Sequence, residues 1–279
     1  MRQVRGAAVR PRVDPRGDMR RSSRLLSVCL AIACAAAFIA ASERTQRGPT
    51  VAAAANLNFA LTEIAEQFAR DRGARVELVF GASGTLARQI LDGAPFELFL
   101  AADEEFSNQL VKAGLTRDPG IVYAVGRLVL FAPSGSPLAV DERLEGLSNL
   151  VKKGGVTRFA IANPEVAPYG RAAESVLRHR GLWDAMRPRL VLGDTIAQAA
   201  QFATTGNAVG GLIAYSLVLA PSFADRGTYA VLSQTDHEPL RQRAVLLKQA
   251  RPAVVQFYDY LQTDAARSIL RKHGYGVPQ

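Results

Sequence analysis

Strand-like and helix-like segments alternate along most of the chain after residue 50. Short apolar runs, such as residues 75–80 and 96–101, are each followed by a stretch in which apolar residues recur at helical spacing. A second set of such units begins with the apolar run at residues 158–162. This alternation is typical of an α/β fold in which helices flank mostly parallel sheets. The chain has 279 residues, which is enough for two lobes of this kind.

The order of the segments predicts that the first lobe is discontinuous. A loop of strong breakers at residues 133–137 follows the strand-like run 127–132 with no helix behind it, so we interpret this region as a crossover. The final segment, residues 252–273, is predicted to be helical. We therefore assign residues 48–127 and 234–279 to the first lobe and residues 128–233 to the second. Such folds bind ligands in the cleft between lobes, next to the carboxyl ends of the strands.

Residues 1–44 differ in composition from the rest of the chain. They contain nine arginines and both cysteines, so most of the formal net charge of +9 lies there and the remaining body has no thiol. Arg20, Arg21 and Arg24 precede an apolar run at residues 25–41 that ends in small residues. This layout predicts a signal peptide that is removed on export. A start at Met19, an uncleaved anchor and a lipid-anchored form remain alternatives.

Four strand-to-helix turns combine small residues with a polar residue that can cap a helix. They occupy residues 53–57, 80–85, 164–170 and 193–196. A helix N-terminus leaves backbone N–H groups unpaired and carries partial positive charge, so several such ends meeting at a cleft would bind an anion without Lys or Arg. We therefore predict a compact oxyanion as ligand, with Asn56 and Ser83 as side-chain donors. Plain helix capping at each turn is the alternative.

Several of these segments resemble the periplasmic molybdate-binding proteins of ABC transporters. The similar strings are Ala53-Ala54-Ala55-Asn56, Ala82-Ser83-Gly84-Thr85-Leu86-Ala87-Arg88-Gln89-Ile90, Gly93-Ala94-Pro95-Phe96-Glu97-Leu98-Phe99, Ala101-Ala102-Asp103, Asn163-Pro164-Glu165, Pro168-Tyr169-Gly170, Gly206-Asn207-Ala208, Phe257-Tyr258-Asp259-Tyr260-Leu261 and Tyr275-Gly276. The resemblance covers residues 50–279 in the same order as in the family. It implies a two-lobed periplasmic-binding-protein fold of type II that closes by a hinge motion on molybdate or tungstate.

The resemblance also implies which residues hold the ion. The family's ligand positions match Asn56, Ser83, Tyr169 and Ile196, of which the last two would contribute backbone N–H groups. Many members use a further tyrosine hydroxyl, but Ala214 stands at that position here and Tyr215 follows it. The resemblance further implies a monomer without a cofactor or a directly bound metal cation. It would work in the periplasm and deliver its ligand to an ABC permease.

An enzyme is not favoured by the motifs. Gly81-Ala82-Ser83-Gly84 lacks the spacing of the Gly-x-Ser-x-Gly elbow of hydrolases. We expect the histidines, His179, His237 and His273, to be surface residues rather than catalytic bases. No catalytic residue is therefore assigned.

Two other binding functions stay open at this point. An effector-sensing regulator would need a DNA-binding module, for which residues 1–44 are too short and too apolar, so we expect no nucleic-acid partner. A carrier for sulfate, phosphate or another oxyanion would share the same architecture. A phosphate carrier would use a carboxylate as proton acceptor, but we interpret Asp103 and Asp194 as helix caps.

Overall fold

The β-strands of the described residues, 48–205 and 208–278 of the computed structural model, form two five-stranded sheets. The first sheet consists of β1 (Thr50–Ala54), β2 (Glu77–Gly81), β3 (Leu98–Leu100), β4 (Ile121–Val125) and β10 (Arg241–Leu246). Its strand order is β2-β1-β3-β10-β4. Strand β1 is parallel to β2 and β3, whereas β10 is antiparallel to β3 and β4.

The second sheet has the same arrangement of strand directions. It consists of β5 (Leu128–Pro133), β6 (Phe159–Ala162), β7 (Leu190–Gly193), β8 (Gly211–Ala214) and β9 (Gly227–Val231), in the order β7-β6-β8-β5-β9. Strand β6 is parallel to β7 and β8, whereas β5 is antiparallel to β8 and β9. In both sheets the fourth strand in the spatial order runs antiparallel to its neighbours. The α/β class with mostly parallel sheets is confirmed.

Helices connect the strands of both sheets. They are α1 (Asn58–Arg72), α2 (Ser83–Leu91), α3 (Glu105–Lys112), α4 (Glu145–Lys152), α5 (Pro168–His179), α6 (Trp183–Met186), α7 (Ile196–Thr204), α8 (Tyr215–Val218), α9 (Pro252–Tyr260) and α10 (Asp264–Lys272). Short 3-10 turns occur at Ala55–Leu57, Arg187–Arg189, Pro221–Phe223 and Gln234–Asp236. None of the helices in the described residues has the length and hydropathy needed to span a bilayer.

Three sequence expectations for secondary structure are wrong or incomplete. Strand β4 was not predicted, and helix α4 lies where we expected no helix after the breaker loop. The predicted single helix over residues 252–273 is two helices, α9 and α10. The break occurs because Thr263 caps α10, with its hydroxyl oxygen accepting a hydrogen bond from Ala266 N at 3.4 Å.

The two sheets meet where most of their strands end. Ala54 is the last residue of β1, Ala55 follows it and Ala102 follows β3. These alanines belong to one buried apolar cluster that also contains strand residues of the second sheet and residues of its flanking helices, including Tyr169 and Ile196. The chain crosses between the sheets at residues 126–127 and at residues 232–240. Residues 48–279 form one compact unit. The expected leader, residues 1–44, lies outside the described residues, as do Gly206 and Asn207 of the resemblance.

Candidate functional site

The residues predicted to bind the ligand lie beyond the carboxyl ends of parallel strands. Asn56 follows β1 and Ser83 follows β2. Tyr169 is the second residue of the helix after β6, and Ile196 is the first residue of the helix after β7. All are buried, with exposed fractions of 1% for Asn56, Ser83 and Tyr169 and 4% for Ile196. The carboxyl end of a parallel sheet is where α/β folds place ligands. The structure therefore places these residues at the junction of the two sheets.

Asn56 lies in the 3-10 turn after β1 and is held by three other buried side chains. Its Nδ2 donates to Gln242 Oε1 at 3.0 Å and to Tyr275 Oη at 2.8 Å. Its backbone carbonyl accepts from Ser216 Oγ at 2.9 Å and from Tyr275 Oη at 2.8 Å. Asn56 Oδ1, in contrast, is buried and has no hydrogen-bond partner within the described residues. Buried polar atoms without partners are rare in proteins, so this atom is a candidate functional group.

Ser83 is the first residue of α2, and its hydroxyl is oriented by the protein. Ser83 Oγ accepts a hydrogen bond from the backbone N–H of Ala102 at 3.0 Å. A serine hydroxyl has one donor and two acceptor positions, so this bond leaves the hydroxyl hydrogen free to donate. Ser83 is thus arranged to donate both its hydroxyl and its backbone N–H.

Gln242 is a residue of the candidate site that the sequence analysis missed. Gln242 is fully buried near the start of β10. Because β10 runs antiparallel to its neighbour β3, β10 begins at the edge of the sheet where β3 ends. Gln242 Oε1 accepts from Tyr123 Oη at 3.0 Å as well as from Asn56, and Gln242 Nε2 donates to Tyr169 Oη at 3.2 Å. A single amide therefore links Asn56, in the turn after β1 of the first sheet, to Tyr169, in the helix after β6 of the second.

The tyrosine hydroxyls around this amide stay protonated. Burial raises the pKa of Tyr123, Tyr169 and Tyr275 above the ordinary value. The polar side chains of the network are thus uncharged. Within the described residues, the side-chain hydrogen bonds of Asn56, Ser83 and Tyr169 go to Gln242, Tyr275 and Ala102, none of which is a cation.

Helix starts supply the remaining donors. Thr195 caps α7, with Oγ1 accepting from Gln198 N at 3.1 Å, and Ile196 begins the helix with its side chain in the apolar cluster. Helix α7 contacts the turn at Ala55–Leu57. The backbone N–H groups of Ser83, Tyr169 and Ile196 have no acceptor in residues 48–205 and 208–278. These N–H groups, at the positive ends of three helices, can stabilise an anion.

Direct contacts join the two halves next to these donors. Gly84 N donates to Val166 O at 2.9 Å, across the junction between α2 and the loop before α5. Asp103 accepts from Arg171, and the Arg171 guanidinium also lies 4.7 Å from the Phe106 ring centre. Burial raises the pKa of Asp103, and the charge of Arg171 opposes this rise. Arg171, on a helix of the second half, is therefore already paired with a carboxylate of the first half.

Gly126, at the first crossing between the sheets, allows the amide network to form. A Cβ at this position would lie 2.3 Å from Tyr169 Oη and 2.7 Å from Gln242 Nε2. Both distances are shorter than any ordinary contact, so a larger residue would displace Tyr169 or Gln242. The backbone of the crossing thus forms one wall of the network.

Some secondary expectations for polar residues need correction. Asp103 does act as a cap, since its Oδ1 accepts from Phe106 N at 3.2 Å. Asp194 does not, because Thr195 is the cap of α7. His237 is not a surface residue, since it is only 6% exposed and its Nδ1 lies 2.7 Å from Glu238 O. His273 is also largely buried, with Nε2 2.8 Å from Glu63 Oε2.

Ala214 occupies the position at which many family members carry a ligand tyrosine. Ala214 ends β8 and is fully buried. Tyr215 begins α8, and its ring packs against Tyr229 with ring centres 5.8 Å apart. The hydroxyls that reach the Asn56 amide belong instead to Tyr275 directly and to Tyr123 and Tyr169 through Gln242.

A separate cavity of about 630 Å³ borders the loop at residues 133–137. It is lined by residues that include Ser136, Thr157 and Arg226, and none of the four predicted ligand residues lines it. In the part of the chain that the structure describes, no group of three His, Cys, Asp or Glu side chains is placed to hold a metal ion.

The fold and this junction define a class of protein. Residues 49–276 match the family of bacterial extracellular solute-binding proteins. The chain belongs to this family.

The most informative relatives are more specific. The molybdate-binding protein ModA of Azotobacter vinelandii is 40% identical over 230 residues, which covers 81% of this chain and 89% of the relative. ModA of Rhodobacter capsulatus is 40% identical over 233 residues, covering 82% and 88%. The solved structure of the Azotobacter vinelandii periplasmic molybdate-binding protein matches with a TM-score of 0.75 at 30% identity, covering 82% of this chain and 99% of that one. The resemblance found in the sequence is confirmed.

Proposed function

We propose that this chain is the extracytoplasmic receptor for molybdate, or for the near-isosteric tungstate, of an ABC transporter. The observation that supports the proposal is that uncharged donors from both halves lie at helix starts beside the sheet junction. Ser83, Tyr169 and Ile196 have unpaired backbone N–H groups at helix starts, and Ser83 adds a hydroxyl hydrogen. The relatives at 40% identity are named for the same ligand.

The chemistry of these donors suits a fully deprotonated tetrahedral dianion. Molybdate only accepts hydrogen bonds, so every contact must come from an N–H or O–H group. Donors fixed by the backbone and by helix dipoles stabilise charge without a counterion. A protonated oxyanion such as monohydrogen phosphate would need an acceptor for its proton, and Asp103 is already engaged by Arg171 and Phe106 N.

Binding of another oxyanion is the alternative function. Sulfate has the same charge and shape as molybdate but a smaller radius. Because the N–H donors belong to the backbone, the site cannot contract around a smaller ion without moving whole helices. We therefore expect the larger ion to bind more tightly.

The lobe boundaries remain part of the proposal. We assign residues 48–127 and 234–279 to the first lobe and residues 128–233 to the second, and expect the lobes to close on the ion by a hinge at the two crossings. The separation of the strands supports this division, since the first sheet uses residues 50–125 and 241–246 and the second uses 128–231. Hinge closure of this type sequesters ligands between rigid domains.

The remaining partners follow from the transport role. We propose a monomer that is exported by the leader at residues 1–44, works in the periplasm and delivers the ion to an ABC permease. Catalysis, a resident cofactor and nucleic-acid binding have no place in this role. Lipid anchoring at the leader stays an alternative.

Isothermal titration calorimetry of the purified body, residues 45–279, tests the proposal. We expect saturable heat with sodium molybdate and at least tenfold weaker binding of sulfate, which is a difference of about 1.4 kcal/mol. Equal affinities for molybdate and sulfate would contradict the argument that the backbone donors select the larger ion. No heat with molybdate or tungstate would contradict the proposed function. Elemental analysis of protein secreted by its native host would identify the cargo independently.

A further inference from the structure

The hydrogen bonds of the Asn56 amide in the structure are incompatible with donation to the proposed oxyanion. The inference drawn from this rests on the proposed function. Both of its hydrogens are used within the protein, one by Gln242 Oε1 and one by Tyr275 Oη. Its Oδ1 is buried and unpaired in the part of the chain described. An oxyanion cannot bind to a carbonyl oxygen, since both are acceptors. In this orientation Asn56 cannot donate to the ion.

Gln242 offers a way to resolve the conflict. It accepts from Asn56 and Tyr123 through Oε1 and donates to Tyr169 through Nε2. If both terminal amides turn by half a rotation, nitrogen and oxygen exchange places. Gln242 Nε2 then donates to Asn56 Oδ1 and to Tyr123 Oη, and Gln242 Oε1 accepts from Tyr169 Oη. Because the two atoms are nearly equal in size, no backbone movement is needed.

The surrounding hydroxyls permit both arrangements. A hydroxyl donates and accepts, and burial keeps Tyr123, Tyr169 and Tyr275 protonated. After the reversal, Tyr275 Oη donates to Asn56 Oδ1, while Ser216 Oγ continues to donate to the Asn56 carbonyl at 2.9 Å. Tyr123 Oη can donate to Ala101 O, which lies at 3.2 Å. The side-chain hydrogen bonds among Asn56, Gln242 and the tyrosines are thus made again with donor and acceptor exchanged. The bond from Tyr275 Oη to the Asn56 carbonyl is given up, because the single hydroxyl hydrogen of Tyr275 now goes to Oδ1.

The two arrangements differ in what they leave unpaired. The one in the structure leaves a single acceptor, Asn56 Oδ1, without a partner. The reversed one places the Asn56 Nδ2 hydrogens there, and these need an acceptor. Unpaired buried N–H groups are rarer in proteins than under-satisfied carbonyls, so the reversed arrangement needs an oxyanion to stabilise it. A ligand that binds one of two conformations shifts the population toward it.

We infer that Asn56 and Gln242 form a coupled amide switch, in which oxyanion binding selects the reversed orientation and Gln242 is the positioning residue that makes this reversal possible. Gln242 does not itself touch the ion. Its ability to both donate and accept is what the switch requires, and no carboxylate or apolar side chain of the same length has it.

Nuclear magnetic resonance of the amide hydrogens tests the switch directly. In ¹⁵N-labelled protein, with the side-chain signals assigned through Asn56→Ala and Gln242→Met, the Gln242 amide hydrogens should give their strongest Overhauser effects to the Tyr169 ring. On addition of saturating sodium molybdate, these contacts should move to the Tyr123 ring. A Gln242 pattern that does not change between the two samples would overturn the inference.

Affinity measurements on Gln242 variants provide a second readout. The carboxylate of Gln242→Glu can only accept hydrogen bonds, so it holds Asn56 with Nδ2 turned toward residue 242 and away from the ion. It also adds a negative charge near the ion. We therefore expect molybdate to bind at least about a hundredfold more weakly. Gln242→Met removes the coupling without a charge and leaves Asn56 free to turn, so a smaller loss, about three- to tenfold, is expected. Gln256→Met, an exposed site on α9, is the matched control and should bind like the wild type.

The outcomes separate this inference from the proposed function. Thermal unfolding checks that each variant is folded before its affinity is compared. Equal losses in folded Gln242→Glu and Gln242→Met would contradict the coupling. Wild-type protein that binds molybdate with an unchanged Overhauser pattern would overturn only the switch, whereas wild-type protein that fails to bind molybdate would overturn the proposed function itself.

Discussion

The two halves of the candidate site supply different kinds of hydrogen-bond donor: the first supplies side chains as well as backbone, and the second supplies backbone N–H groups. Next to the first sheet, Asn56 and Ser83 place polar side chains at the junction, and these are oriented by Gln242 and Ala102 N. Next to the second sheet, the side chains of Tyr169 and Ile196 are packed in the apolar cluster, and their backbone N–H groups remain available as donors. The first half therefore depends on residue identity, whereas the second depends on where helices begin.

Substitution of Asn56 should have the largest effect on the first half. In Asn56→Asp, a carboxylate replaces the side-chain amide that is proposed to contact the ion, which removes the donor and adds a like charge. We expect molybdate to bind at least about a hundredfold more weakly, because juxtaposed like charges cost several kcal/mol. Calorimetry measures the change. Asn149→Asp, on the exposed face of α4, adds the same charge elsewhere and should change affinity little. Similar losses in both variants would contradict a local role for Asn56.

Ser83→Ala should have the next largest effect. It removes one hydroxyl donor to the ion and leaves the Ala102 N–H without its acceptor. We expect affinity to fall by about 1–3 kcal/mol, the range for losing one partner of a hydrogen bond to a charged group. Calorimetry and chemical unfolding should both report a loss. Ser222→Ala, which is exposed, serves as the control. An unchanged dissociation constant would remove Ser83 from the site.

Gly84→Ala tests the contact that joins the halves. An added Cβ would lie 2.7 Å from Phe106 Cζ and 3.0 Å from Val166 O, so the hydrogen bond between Gly84 N and Val166 O must lengthen. We expect a five- to tenfold loss of affinity, since mild overpacking costs about 1 kcal/mol. Thr85→Ala, exposed in the same turn, is the matched control for calorimetry. Wild-type affinity in Gly84→Ala would show that this approach is not needed for binding.

Ile196→Val should have the smallest effect on binding, although it lies in the second half of the site. The substitution shortens a buried side chain but keeps the backbone N–H, so stability should fall by about 0.5–1.5 kcal/mol. The dissociation constant for molybdate, measured in the same buffer, should change by less than twofold. If Ile196→Val weakened binding as much as Ser83→Ala, the difference between the two halves would be lost.

Local patterns in the sequence predicted much of the fold and the residues of the junction. Helical spacing and small-residue turns identified β1, β2 and the helices that follow them, because these signals lie within a few neighbouring residues. The helix over residues 252–273 was predicted without its break, although Thr263-Asp264 is an ordinary capping sequence. Strand β4 was missed because Ile121–Val125 runs directly through Gly126 into the next strand. Helix α4 is short and has only Leu147 fully buried, so its apolar pattern is weak.

Gln242 could not be predicted because its partners are distant in sequence. It is separated from Asn56 by 186 residues, from Tyr123 by 119 and from Tyr169 by 73. Nothing in the neighbouring sequence of β10 indicates that this glutamine is fully buried while Arg241 is exposed. The pairing arises only when β10 inserts between β3 and β4 and brings its first residues to the junction.

The central claim is that main-chain N–H groups and two uncharged side chains, supplied by both sheets, hold a doubly charged ion. A crystal structure of residues 45–279 with molybdate tests it most directly. We expect the ion within hydrogen-bond distance of the backbone nitrogens of Ser83, Tyr169 and Ile196, with Ser83 Oγ and the Asn56 amide completing the contacts. Molybdate bound to arginine or lysine side chains, or in the cavity beside residues 133–137, would contradict the account.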